Sequence, residues 1–243
     1  EEQAKLIEAA VTAGVDGLAV SAPNPEAIAD AVQQAVDAGI PVITLNSGAD
    51  QFADLGAYTH VGQTEFVAGQ GAGEQLAEAG GTKLLCIVHE QGNIGLEQRC
   101  EGAADTFGGT VENFQVTGTG DIQTSLNEIQ SKLQGDPSID AVLSLNPDIA
   151  IATRDAVAGA GSSAQVATFD LSGDVVTAIE DGEILFAVDQ QQYLQGYLPV
   201  VFLYLNSTNA NTVGGGLPVL TGPGFVTADN AAEVAELAEA GTR

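Results

Sequence analysis

Two matching stretches, far apart in the chain, constrain its fold more than any other feature. Residues 15–46 (VDGLAVSAPNPEAIADAVQQAVDAGIPVITLN) run parallel to residues 139–170 (IDAVLSLNPDIAIATRDAVAGAGSSAQVATFD). Each reads as an apolar strand, a Pro-containing turn, a helix closed by small residues, a second strand, and then an amide or carboxylate. About thirty residues is the size of one βαβ unit. Contiguous copies would signal a solenoid, whereas two separated copies point to two similar lobes. The second strands end on Asn46 in one copy and Asp170 in the other. Ligands of open α/β sheets sit in the crevice beyond the carboxyl ends of the strands. If the lobes face each other through those ends, both side chains are expected to point into one shared cleft.

The remaining sequence keeps the same rhythm. Apolar periodicity predicts helices over 1–14, 24–39, 65–79, 96–107, 122–133, 148–158, 174–181, 191–206 and 230–240. Between them lie short apolar strands at 15–21, 41–45, 60–61, 83–88, 111–116, 141–145, 166–169, 184–188 and 218–219. Uninterrupted apolar strands alternating with helices are the pattern of parallel sheets covered on both faces. The predicted fold class is therefore α/β.

Charge removes whole classes of function. The chain carries 33 Asp and Glu against 6 Lys and Arg, a formal net charge of −27. So few cations cannot neutralise a run of phosphates, which excludes a nucleic-acid partner. Adsorption to an anionic membrane through a basic patch fails for the same reason. No apolar run reaches the roughly 18–20 residues of a membrane span; the richest, Gly196 to Leu205, contains Pro199. The first residues, Glu1-Glu2-Gln3, open an amphipathic helix rather than a signal peptide. Cys86 and Cys100 are the only cysteines. They could close a disulfide if the chain works outside the cytoplasm, or remain as two buried thiols.

Catalytic patterns are missing. There are two histidines, His60 and His89, and His89-Glu90-Gln91-Gly92 opens an HExxH motif without its second His. Neither a GxSxG elbow nor a phosphate-binding P-loop occurs, so no enzymatic activity, metal or cofactor is expected. Gly69-Gln70-Gly71-Ala72-Gly73 has the wrong spacing for a dinucleotide fingerprint and falls inside a helix, where it predicts close helix packing.

Planar polar side chains at strand-to-helix turns are what the chain does offer. Asn46, Asn146, Asp170 and Gln190 each follow an apolar strand, and Arg99 lies early in the helix after strand 83–88. Taken singly, an Asn or Asp at such a turn serves as a helix cap or an Asx-turn, and an Arg as a solvated surface residue. Together at corresponding strand ends they suit vicinal hydroxyls, because each amide or carboxylate offers two coplanar hydrogen-bonding positions and the Arg fork several donors. Such a set fits a neutral sugar or polyol.

These residues also carry a family resemblance. The blocks DGLAVSAPNPEAIADAVQQAVDAGIPVITLNSG, GNIGLEQRCEG, ATFDLSGDVVTAIEDGEI and FAVDQQQYLQGY resemble the ribose-binding-like solute-binding proteins of bacterial ABC sugar transporters, over nearly the whole chain. That resemblance implies a type I periplasmic binding protein fold: two Rossmann-like lobes, each a parallel sheet flanked by helices, joined by a three-crossover hinge. Lobe one is expected at 1–62 plus 191–220 and lobe two at 63–190 plus 221–243, with crossovers near Gly62-Gln63, Gln190-Gln191 and Thr221-Pro223. It further implies ligand contacts from Asn46, Arg99, Asn146, Asp170 and Gln190, with His89, Phe169 and Tyr193 as the aromatic candidates to line the site. Replacing Arg99 or Asp170 with Ala is then expected to abolish binding with little loss of stability.

The family opens with a further strand–helix–strand unit, so an N-terminal βαβ portion of roughly 45 residues is expected outside this chain. Where the ribose-binding-like members often carry an Asp-Arg pair after the IPVIT strand, Asn46 is followed by Ser47 and Gly48. The implied protein is an extracytoplasmic monomer, periplasmic or lipid-anchored, that delivers a monosaccharide or sugar alcohol to an ABC permease. The same fold would serve the effector domain of a lactose-repressor-type regulator, which needs a helix-turn-helix and reduced cysteines, or a sugar-sensing receptor module.

Overall fold

The structure, a computed structural model, describes residues 2–243. They divide into two compact units. The first runs through Thr64 and resumes over Gln191–Gly222; the second comprises Glu65–Gln190 and Pro223–Arg243. The chain therefore passes between them three times.

In the first unit, helix α1 (Glu2–Ala13) leads to strand β1 (Leu18–Ser21), α2 (Pro25–Asp37), β2 (Val42–Asn46) and β3 (Thr59–Gly62). Asn24 caps α2 by accepting a hydrogen bond from the Ala27 amide, and Pro25 occupies the first turn, where its missing N–H costs nothing. Ile28, Ala31, Val32 and Ala35 form the buried stripe of α2, and they pack with Val20, Val42, Phe52 and Leu55 into one core.

The second unit begins with α3 (Glu65–Glu78) and continues through β4 (Lys83–Val88), α4 (Ile94–Phe107), β5 (Thr110–Gln115) and α5 (Ile122–Gly135). It proceeds to β6 (Ala141–Ser144), α6 (Pro147–Ala160), β7 (Gln165–Phe169), α7 (Gly173–Glu180) and β8 (Phe186–Asp189). The chain then returns to the first unit for α8 (Gln192–Asn209) and β9 (Val219–Leu220), completing a parallel sheet in the order β1-β2-β3-β9. Strand β10 (Gly224–Thr227) and α9 (Ala231–Glu239) finish the second unit.

The second unit's sheet has the order β10-β8-β7-β6-β4-β5, parallel except for β10, which lies antiparallel on β8 with Phe225 opposite Val188. Every residue of β6 and β8 is buried, as a sheet covered on both faces requires. One face carries Leu84, Cys86, Leu143, Phe169 and Phe186 under α3 and α4. On the other face, Leu85 and Ile87 of β4 pack with Ile129 of α5 and Ile149 of α6. Cys86 on β4 and Cys100 on α4 are joined by a disulfide, leaving no free cysteine.

The glycine run is a packing device, as its spacing predicts. A Cβ on Gly69 would fall onto the Arg99 carbonyl, one on Gly73 onto the Ala103 carbonyl, and one on Gly102 onto the Phe66 carbonyl. Helices α3 and α4 therefore approach backbone to backbone. One element lies outside the sequence prediction: β10 has only four residues and pairs antiparallel at an edge, so neither length nor βαβ alternation announces it.

Candidate ligand-binding site

In the second unit, the chain runs from β4 to β5 on one side and then crosses back to β6 on the other side of β4, so the strand order reverses between β4 and β6. The carboxyl ends on either side of that reversal form the crevice where open α/β sheets bind ligands. His89 follows β4 directly, Asn146 follows β6 after one residue, and Asp170 and Gln190 follow β7 and β8 directly. Arg99 projects from the second turn of α4, a helix capped by Asn93, which accepts from the Gly95 and Leu96 amides.

Arg99 is no solvated surface residue. It is 4% exposed, and its Nε donates to Glu65 Oε2 at 2.7 Å while Nη2 donates to Oε1 at 3.2 Å. Its guanidinium lies 4.4 Å from the centroid of the Phe169 ring. Burial opposes the charge, yet the Glu65 and Asp170 carboxylates outweigh it and hold the guanidinium pKa above its ordinary value. With Nε and Nη2 engaged by Glu65, Nη1 makes no hydrogen bond among the described residues. A charged donor with spare capacity can take a further hydrogen-bond acceptor.

Asp170 holds a backbone conformation that few residues accept, with φ of 70°. Its amide donates to the Val188 carbonyl at 2.8 Å, and its Oδ1 accepts from Gln190 Nε2 at 2.7 Å. Burial pushes the carboxyl pKa up, opposed by Arg99 and by the Gln190 hydrogen bond. Oδ2 accepts no hydrogen bond among the described residues. The second unit thus holds a guanidinium donor and a carboxylate acceptor, each with a polar atom not engaged by the partners named above.

The other sequence candidates divide by role. Asn146 is a helix cap, its Oδ1 accepting from the Asp148 and Ile149 amides at 2.9 and 3.3 Å, which leaves Nδ2 for other partners. It repeats Asn24 of the first unit, and both precede a Pro at the first helical position. His89 is half-buried with Nδ1 unpartnered, and burial lowers its pKa. Phe169 departs from its expected part as a ligand-facing aromatic: it is fully buried with the guanidinium over its ring, so it seats Arg99. Tyr193 lies on exposed α8 of the first unit, stacked on Tyr197 at 6.3 Å.

Asn46 sits in the first unit with φ of 60°, matching the left-handed geometry of Asp170 at the end of the equivalent strand. Its Nδ2 donates to Gln195 Oε1 at 3.1 Å, and Gln195 in turn donates to Thr221 Oγ1 at 3.1 Å. Gln191, at φ of 56°, donates from Nε2 to the Thr221 carbonyl. Of the four non-glycine residues with positive φ among the described residues, Asn46 and Gln191 belong to this polar set of the first unit, and Asp170 stands in the second. Such backbone strain, about 1–3 kcal/mol each, persists where the surroundings enforce it and clusters at functional sites.

The residue that sequence reasoning missed is Glu65. A carboxylate in the first turn of a helix reads as a partner for the helix dipole. Its 2% exposure and two-point grip on Arg99 become visible only when α3 and α4 are packed. The grip also corrects the expectation that Arg99→Ala leaves stability intact, because that change strands a buried carboxylate. No group of His, Cys, Asp and Glu among the described residues could hold a metal ion. Nor is any helix among them long and apolar enough to cross a membrane.

Comparison with known proteins bears on the family and the fold. A carbohydrate transporter from Acidothermus cellulolyticus 11B, solved in complex with myo-inositol, superposes with a TM-score of 0.97 at 46% identity, covering 100% of this chain and 84% of that one. The xylose/arabinose-binding protein XylF of Sulfolobus acidocaldarius is 25% identical over 92% of this chain. The ribose import binding protein RbsB of Bacillus subtilis is 28% identical over 81%. This chain spans 60% of the first of those two relatives and 65% of the second. The periplasmic binding protein domain model matches residues 1–209. With that match, and with parallel sheets flanked by helices in each unit, the chain belongs to the periplasmic binding protein family.

Proposed function

We propose that this chain captures a neutral monosaccharide or sugar alcohol, with cyclic polyols of the inositol kind foremost, and presents it to an ABC permease outside the cytoplasm. The observation that carries this reading is the Arg99–Asp170 pair: a guanidinium on α4 with Nη1 not engaged by Glu65, and a carboxyl directly after β7 with Oδ2 not engaged by Gln190. A hydroxyl group both accepts and donates, so one C–OH can accept a hydrogen bond from Nη1 while donating its own to Oδ2. Adjacent hydroxyls extend the pattern to Asn146 Nδ2.

The relative bound to myo-inositol supports the ligand class, and relatives named for ribose, xylose and arabinose support its breadth. In this reading the three chain passages between the units serve as the hinge, and binding shifts their equilibrium only through differential affinity for the ligand-holding state. The protein performs no chemistry on its ligand. The Cys86–Cys100 disulfide favours an oxidising compartment over the cytoplasmic home that a transcriptional effector domain needs.

Isothermal calorimetry with myo-inositol, D-ribose, D-xylose, L-arabinose and D-allose tests this function. Saturable binding of at least one, abolished by Asp170→Ala, is expected. Heat of binding from none of them, with the protein folded, refutes it.

A further inference from the structure

We infer that Glu65 is the charge filter of the site: by cancelling Arg99 from behind, it confines the ligand to uncharged polyols and excludes sugar acids and sugar phosphates. This inference rests on the function proposed above. An arginine whose fork is open to a ligand ordinarily attracts carboxylates and phosphates, because its planar donors match their oxygens in geometry and charge. Here the match is spoiled from within. Glu65 occupies Nε and Nη2 at 2.7 and 3.2 Å, and both partners are nearly sealed from water, at 2% and 4% exposure.

In so dry a setting the two charges are screened little, and their sum governs what approaches Nη1. That sum is zero before Asp170 is counted, and Asp170 can only add negative charge. Asp189, the next carboxylate along β8, is already held by Arg243 Nε at 2.7 Å. Nη1 therefore keeps its power to donate a hydrogen bond while the site loses any surplus attraction for an anion. A neutral hydroxyl gains the bond without penalty; a carboxylate or phosphate meets a cluster with no positive charge to spare.

Glu65 acts through Arg99 rather than by touching the ligand, so it is a positioning residue with a second, electrostatic effect. The two effects separate by substitution. Glu65→Gln keeps the length and one acceptor oxygen but removes the charge. Glu65→Asp keeps the charge but draws the carboxylate back by one methylene.

The experiment measures affinities of the wild type and both variants for paired ligands of like shape, D-glucose with D-glucuronate and myo-inositol with an inositol monophosphate, at low and high salt. Thermal melting confirms that each variant is folded. Glu65→Gln is expected to move the anion-to-neutral affinity ratio by roughly tenfold or more toward the anion, an effect that salt reduces. Glu65→Asp is expected to weaken neutral ligands while leaving the ratio where it was.

An unchanged ratio in folded Glu65→Gln overturns the inference and leaves the proposed function standing. So does a wild type that already binds the anionic member of each pair as well as the neutral one. A wild type that binds no neutral polyol defeats the proposed function, and the inference falls with it.

Discussion

Replacing Arg99 separates binding from folding in a way the structure makes quantitative. Arg99→Ala removes one partner of a pair in which Glu65 is 2% exposed, so a buried carboxylate is left without its counter-charge. Breaking a buried ion pair from one side costs about 3–5 kcal/mol of stability. The ligand loses the donors on Nη1 and the remaining donor on Nη2. At about 1.5–3 kcal/mol for each charge-assisted hydrogen bond, two such bonds amount to about 3 kcal/mol or more, over a hundredfold in affinity.

A second variant keeps the two effects apart. Glu65→Leu with Arg99→Met replaces both charges by apolar groups of similar volume, and such swaps of buried pairs are near neutral for stability. Urea denaturation should therefore show Arg99→Ala strongly destabilised and the double variant close to wild type. Calorimetry with myo-inositol should show both deprived of binding. Wild-type affinity in the double variant would remove Arg99 from the site. An unaltered unfolding midpoint in Arg99→Ala would instead disprove the buried-pair argument.

Other expectations are simpler. Cys86→Ala with Cys100→Ala opens a loop whose ends are 14 residues apart, and should lower stability by about 3 kcal/mol in chemical denaturation; an unchanged midpoint would show that the bridge constrains nothing. Gly102→Ala should cost about 3 kcal/mol, because its Cβ meets the Phe66 backbone and neither helix can give way. Gly196→Ala, in the open on α8, should be neutral or stabilising by up to about 1 kcal/mol, and equal effects of the two would contradict the close approach of α3 and α4.

His60 gives an acid limb. It is fully buried, with Nδ1 on Thr44 Oγ1 at 2.9 Å and Nε2 unpartnered, and burial lowers its pKa from 6.5 to about 4. The unfolded chain then binds the extra proton, so this contribution is complete above pH 6.5 and fades as pH falls toward 4. The loss should approach about 3 kcal/mol. Denaturation curves of wild type and His60→Gln across that range should differ in slope, and superimposable pH profiles would contradict it.

Much of the fold is legible in the sequence because the determinants are local. The strand at 83–88 and the helix starts at Pro25 and Ile122 follow from apolar runs and turn residues within a few positions. The glycine run announces tight packing without naming its partner, since α4 comes close only in three dimensions. Among the site residues, Asn146 could be singled out by position, yet its cap geometry makes half of its hydrogen-bonding capacity structural. Phe169 misled because an aromatic beside a polar strand end looks the same in sequence whether it faces a ligand or supports a guanidinium. Glu65 lies 34 residues from Arg99 and gives no local sign of that contact.

The left-handed turns at Asn46 and Asp170 have an evolutionary corollary. Apart from glycine, asparagine and aspartate are the residues that most readily accept such a backbone, and branched or bulky side chains are barred. Drift at either position is thereby channelled into exchanging an amide for a carboxylate, which swaps a donor for an acceptor without moving the main chain. Under the function proposed above, new ligand preferences would arise at these two strand tips by a single-atom change of chemistry, while the scaffold beneath stays as it is.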